Sequence, residues 1–181
     1  MLRPTKKTAL VTHRNCLDGT GAAAVFVWAG GDRNNIIFRA PKGCALTSAE
    51  AEQYDEVWFV DVCPWNLTDP AGGKPWRVWD HHDTNIRRHG QDHPNCTFDH
   101  TKCGTSLLFK ETEMLWTAMS GTIELIDAIE HYDLGRFNAH KATFIADLAS
   151  AYSQEEMLDL LIDMREGILF DKSIVAEVNG I

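Results

Sequence analysis

Asp80-His81-His82 stands directly behind the apolar run Val78-Trp79 and sets one carboxylate and two imidazoles at a single point of the chain. Imidazole and carboxylate together ligate divalent cations, and an acid beside a histidine fixes its tautomer. With eight His and 26 acidic residues in 181, one such triplet arises by chance, so partners elsewhere in the chain decide its meaning. Two are present. His13 and Asp18 follow the run Thr8-Ala9-Leu10-Val11-Thr12, and Asp61 follows Val57-Trp58-Phe59-Val60. Taken singly, Asp18 reads as a helix cap, Asp61 as a strand-end turn, and His81 and His82 as surface imidazoles. Jointly, three apolar runs ending in ligand types point to one cation-binding edge. Imidazoles mixed with carboxylates and no thiolate cluster suit Mn2+, with Mg2+, Co2+, Fe2+ or Zn2+ as substitutes. Several carboxylates in one cleft raise one another's pKa unless cations lie between them. Two divalent ions about 3.5–4 Å apart, bridged by one carboxylate, relieve that repulsion and activate a water against a phosphate ester.

The elements that position these residues are legible in outline. Thr8–His13 reads as a strand and the run Ala22-Ala23-Ala24-Val25-Phe26-Val27-Trp28 as a helix ended by Gly30-Gly31. Ile36–Ala40 reads as a second strand, and Thr47-Ser48-Ala49-Glu50 as a capped helix start. Val57–Asp61 and Trp76–Asp80 are apolar on consecutive positions, as in strands buried on both faces. Alternating strands and helices predict an α/β fold with a mostly parallel sheet flanked by helices, whose functional loops gather at the carboxyl ends of the strands. Beyond residue 100 to 105 the pattern turns helical, with Leu107, Leu108, Leu115 and Trp116, then Ile123, Ile126 and Ile129, then Met157, Leu160, Leu161 and Met164 at helical spacing. The expected organisation is one domain over 1–140 with a helical extension over 141–181.

Bulk properties narrow the function further. A formal charge of −9 excludes a protein that grips long duplex nucleic acid by neutralising phosphates. No apolar run reaches 18 residues, and the basic start MLRPTKKTALV lacks a following signal-peptide core, so a soluble, cytoplasmic protein with no membrane partner is expected. Five cysteines, an odd number with no C-x-x-C pair, argue against a disulfide framework or a zinc ribbon. Cys44, Cys63 and Cys96 read as small buried hydrophobes. His89, His93 and His140 read as solvated, and the six tryptophans as packing residues. Lys102-Cys103-Gly104-Thr105-Ser106 reads as the first turn of a helix whose free N–H groups and hydroxyls hold either a phosphate or an ordinary cap, with His100 and Lys102 adding contacts to an anion.

In this order along the chain, HRNCLDG at 13–19, FVDVCP at 59–64, VWDHHDTN at 78–85, FDHTKCGTSLLF at 98–109 and LIDAIEHYDLGRF at 125–137 resemble the motifs of the DHH phosphoesterase superfamily. The opening H-x-N-C-x-D-G is most similar to the oligoribonuclease or cyclic-nucleotide phosphodiesterase-like branch. The resemblance implies a metal-dependent phosphohydrolase acting on a small phosphoester, such as a short oligonucleotide or a cyclic nucleotide. It implies His13, Asp18, Asp61, His81 and Asp133 as metal ligands, with Asp61 bridging and Asp127 or His131 as alternatives to Asp133. It assigns His82 as a metal ligand or as a contact to the scissile phosphate or leaving group, and Asp80 to orienting an imidazole, with Asn15, Cys16, His100, Lys102, Gly104, Thr105 and Ser106 toward the substrate. Many relatives carry an acid where Cys16 stands, so Cys16 either weakens one metal position or lines the pocket. Relatives also carry a further substrate-closing domain; here the helical tail, a homo-oligomer partner or an open cleft is expected in its place. A pyrophosphatase or polyphosphatase, and a catalytically silent nucleotide- or protein-binding module, are the alternatives.

Overall fold

The structure is a computed structural model that describes residues 2–112, 120–136 and 140–164. Five strands form one sheet: β1 Thr8–His13, β2 Ile36–Arg39, β3 Glu56–Val60, β4 Trp76–Asp80 and β5 Cys96–Phe98. They lie in the order β2-β1-β3-β4-β5, and every pairing is parallel. The helices are α1 Leu17–Trp28, α2 Ser48–Ala51, α3 Asp83–His89, α4 Gly104–Glu111, α5 Ser120–Asp133, α6 His140–Ala151 and α7 Gln154–Asp163. The fold is therefore α/β, with a fully parallel sheet, helices on both faces and a helical carboxyl-terminal part.

Both sheet faces are covered, which is why the strands read as unbroken apolar runs. The pleat still divides them. Leu10, Trp58, Val60 and Trp79 face one core with α1, α4 and the later helices. Ala9, Val11, Val57, Phe59 and Val78 face the other with Leu46, Ala51 and Tyr54. In the first core Phe26, Trp58 and Trp79 stack edge to face, with centroids 5.9 and 5.2 Å apart. Each such pair contributes about 0.5–1.5 kcal/mol beyond its buried area.

Helix α1 is buried along almost its whole length because α4, α5 and α7 cover the side away from the sheet. Gly19 lets it start hard against β1: a Cβ there would lie 2.3 Å from the His13 carbonyl oxygen. The later helices up to Met164 share this core, and Gln154 at the start of α7 reaches back to the His13 carbonyl (3.2 Å) and to Thr20 Oγ1 (3.1 Å). No described helix is long and apolar enough to cross a membrane.

Several expectations need revision. Ile126 and Ile129 are buried, but Ile123 is 41 % exposed, so the stripe on α5 is narrower than its spacing predicts. The helix announced by Thr47 has its capping box yet runs only four residues. His93 is half-buried against Trp76, 5.6 Å between centroids, and His89 is also half-buried; neither is the solvated residue expected. Cys96 is half-buried and not enclosed. Leu115, Trp116, Phe137 and the segment 165–181 lie outside the described residues, as does the side chain of His140.

Candidate metal centre

The strand order reverses direction between β1 and β3, and crevices open at such points beyond the carboxyl ends of the strands. His13 is the last residue of β1, Asp61 the first beyond β3, and His81 the first beyond β4, while Asp133 ends α5. Asp61 adopts φ 57°, the left-handed region that few residues other than Gly, Asn and Asp enter. Its N–H donates to the Trp79 carbonyl (3.0 Å), and the local twist turns its carboxylate into the crevice.

There the side chains meet. Asp61 Oδ2 lies 3.4 Å from His13 Nδ1, and Asp61 Oδ1 lies 3.3 Å from His81 Nε2. His81 Nε2 is also 3.3 Å from Asp133 Oδ2 and 3.8 Å from Asp18 Oδ2. These separations are long for hydrogen bonds. They are close to the spacing of ligand atoms around one cation, about 2.9 Å for octahedral and about 3.4 Å for tetrahedral sites with bonds of ~2.1 Å. Seven buried side-chain N or O atoms among the described residues have no hydrogen-bond partner. Four of them, His13 Nδ1, Asp61 Oδ2, His81 Nε2 and Asp133 Oδ2, belong to this cluster. Nature rarely orphans buried polar atoms at one spot, and divalent cations would satisfy all four. The residues thus fit a metal centre.

Charge in the metal-free protein is balanced by protons. Burial, and then the Asp61 and Asp133 carboxylates, push Asp18 up to about 7. Burial opposes a charge on His81, yet the surrounding Asp61, Asp18 and Asp133 outweigh it and raise its pKa to about 9. Burial also works against the Asp61 charge, but His13 and His81 overcome it and hold the carboxyl at about 2. The Asp61 carboxylate likewise raises His13. Asp133 is shifted upward, first by burial.

Asp18 has a double role. Fully buried on the first turn of α1, it accepts the N–H of Gly104 at Oδ2 (2.7 Å) and of Thr105 at Oδ1 (2.8 Å), and so caps α4 from another part of the chain. Gly104 permits this approach, since a Cβ there would lie 2.9 Å from Asp61 N and 3.0 Å from Asp18 Oδ2. The first turn of α4 does bind an anion, but that anion is the protein's own carboxylate. The expectation that Gly104 and Thr105 offer free N–H groups to a phosphate is corrected accordingly.

Asp80 is fully buried and saturated with donors. Its Oδ1 accepts from His81 N–H (2.8 Å), His82 N–H (3.2 Å) and His82 Nδ1 (2.6 Å), and its Oδ2 from Asn85 Nδ2 (2.5 Å). It therefore orients His82, raises the pKa of that imidazole and fixes the start of α3. His82, 39 % exposed, and Asp61 border a cavity of about 620 Å3 that is also lined by Lys42, Trp65, Asn85 and Arg88.

Other expected site residues stand apart. Lys102 pairs with Glu130 (3.1 Å) and, with Ser106 and Asp127, lines a different cavity of about 340 Å3. His100 is exposed in the turn before α4. His131 directs Nδ1 to the Asp127 carbonyl of its own helix (2.8 Å), so of the three acids and imidazoles considered on α5 it is Asp133 that reaches the cluster. Asn15, at φ 54°, donates its N–H to Gln154 (2.9 Å) and lines, with Cys16, a third cavity of about 290 Å3. The Cys16 sulfur also lies beside His13 and Asp61, and burial followed by the Asp61 and Asp18 charges raises the thiol pKa. Trp65 and Arg88 escaped sequence reasoning, although both follow the strand ends that the ligands follow. Trp65 is 73 % exposed, with the Arg88 guanidinium 3.5 Å above its ring centroid.

No family model and no curated protein matches the chain. Among solved structures it is similar to the crystal structure of an uncharacterized protein from Helicobacter pylori G27, with a TM-score of 0.62 at 14 % identity. The match covers 96 % of this chain and 60 % of that one, so this chain spans 60 % of the neighbour's length and shares its fold.

Proposed function

We propose that the protein is a divalent-metal-dependent phosphohydrolase, a phosphodiesterase acting on short oligonucleotides or cyclic nucleotides. The observation that carries this reading is the convergence of orphaned ligand atoms from His13, Asp61, His81 and Asp133 beside a cavity bordered by His82. Divalent cations held by these residues and Asp18 would supply a water of lowered pKa and offset the negative charge that grows on the phosphoryl oxygens.

The chain's own residues account for the rest. Asp61 lies 3.4 Å from His13 Nδ1 and 3.3 Å from His81 Nε2, a position that would suit a ligand shared between two cations. Asp80 holds His82 by Nδ1 and leaves Nε2 for the cavity. The Asp80 carboxylate raises the pKa of this imidazole and so favours its protonated form, the form that can donate to the leaving oxygen. In the overall reaction the water oxygen bonds to phosphorus and its proton passes to solvent, the ester P–O bond breaks, and the alcohol leaves with the proton from His82, which solvent then restores. Lys42 and Arg88 give the cavity positive charge for a phosphate. The exposed Trp65 ring gives a face on which a nucleobase can stack. That aromatic wall favours a nucleotide over pyrophosphate, which has nothing to stack.

The test is a product-resolved screen of dinucleotides, cyclic nucleotides and pyrophosphate with Mn2+ and with chelator. Chelator-sensitive release of nucleoside monophosphates supports the reading. Cleavage of pyrophosphate alone would support the pyrophosphatase alternative, and no turnover with any divalent ion would favour a silent binding module.

A further inference from the structure

The two ends of the cluster differ in chemistry. Asp18, His81 and Asp133 present only oxygen and imidazole nitrogen, with ligand atoms within 4.8 Å of one another. At the other end Cys16, His13 and Asp61 also bring one ligand atom each within 4.8 Å, and one of these is sulfur. Asp61 is 1 % exposed, and its Oδ2, facing His13 Nδ1, has no hydrogen-bond partner, nor has Nδ1 itself. Asp61 and His13, whose ligand atoms lie within 4.8 Å of the thiol, therefore each carry a buried polar atom without a partner. Cys16 occupies the N-cap position of α1 without making a side-chain cap hydrogen bond, so helix capping does not explain the thiol.

Resting on the metal-centre reading above, we propose that Cys16, His13 and Asp61 form a distinct thiolate-containing cation position that takes a thiophilic ion, zinc in the first place. The Asp18, His81 and Asp133 end takes a harder ion of the Mn2+ class. Thiolate and imidazole favour Zn2+, whereas carboxylate-rich sets suit Mn2+ and Mg2+. Three protein ligands with a position left open match a zinc site that can also receive a water or substrate. On binding, the Cys16 S–H proton passes to solvent as the sulfur–metal bond forms, with no change of oxidation state. The centre is then a mixed pair with Asp61 shared, and the sulfur moves the metal preference of one position without adding a net carboxylate.

Cobalt reports on this directly, because a cobalt–thiolate bond gives an intense near-ultraviolet charge-transfer band that oxygen and nitrogen ligands do not. Metal-free, reduced protein titrated with Co2+ should bind two equivalents, and the band should saturate with one. Cys16→Ser should lose the band and one ion, and Cys103→Ser, which removes the buried thiol at the start of α4, should keep both. Cys16→Asp should bind two ions without the band and shift the Zn2+ over Mn2+ preference of the protein at least tenfold toward Mn2+. Co2+ bound to the wild type without the band, a band that persists in Cys16→Ser, or an unchanged preference in Cys16→Asp would each overturn the thiolate position while leaving the metal centre standing. A wild type that binds no Co2+ at all overturns both.

Discussion

Raising the pH of the metal-free protein should unfold it more readily, and Mn2+ should reverse the effect. His81 has a folded pKa of about 9 against an ordinary value of 6.5. Its contribution to stability is fully present below the unfolded value and is lost as pH rises through the folded one. At about 1.4 kcal/mol per pH unit, the gap is worth about 3 kcal/mol. Asp18, pushed up to about 7 in the fold, acts in the same sense over a lower range, because the folded chain must release a proton that the unfolded chain has already lost. Its energy is not added, since part of it is the same pairing with His81. For a chain of this length about 3 kcal/mol corresponds to a fall in Tm of about 6–12 °C. The assay is thermal melting followed by circular dichroism from pH 6 to 9.5, with chelator and with Mn2+. With chelator Tm should fall across pH 6.5–9.5. With Mn2+ it should hold or rise, because the cation takes the place of the departing protons and binds better as they leave. A metal-free Tm that stays level or climbs over that window would refute the charge balance derived for the cluster, as would a fall that Mn2+ does not reverse.

Three further outcomes separate the roles assigned to the site. Asp61→Asn should keep the fold, because Asn also tolerates the left-handed conformation, yet lose at least one bound metal and about 10^2-fold or more in kcat; calorimetric Mn2+ titration that matches the wild type would remove Asp61 from the bridging role. His82→Ala should bind metal normally while kcat falls about 10^2- to 10^4-fold, and full activity would show that another group protonates the leaving oxygen. Trp65→Ala should raise KM for a dinucleotide about tenfold with kcat little changed, as expected for loss of one stacking contact of about 1–3 kcal/mol; an unaltered KM would place the base elsewhere.

The strands that carry the site were readable because burial on both faces leaves Val57–Val60 and Val78–Trp79 unmixed with polar residues. The rule that ligands gather at the carboxyl ends of parallel strands then predicted the meeting of His13, Asp61 and His81, which the fold delivers. Elements without an apolar stripe were not legible. Helix α3 buries none of its residues, and β5 is three residues long. The cap of α4 by Asp18 was hidden for a different reason: its donor and acceptor stand 86 residues apart in sequence, and spacing within one segment carries no trace of such a pair. Asp133 over Asp127 was decided by where α5 stops, and helix ends are the least determinate feature of a sequence pattern. Trp65 was counted with the packing tryptophans because residue type alone does not say on which side of a loop an indole will lie.

The most direct measurement is anomalous diffraction at the manganese edge from crystals of the protein grown or soaked with Mn2+. A peak is expected within coordination distance of both Asp61 and His81, absent from crystals of Asp61→Asn. Mn2+ at concentrations that support turnover, with no peak at that edge of the sheet or with a peak bound by other residues, would contradict it.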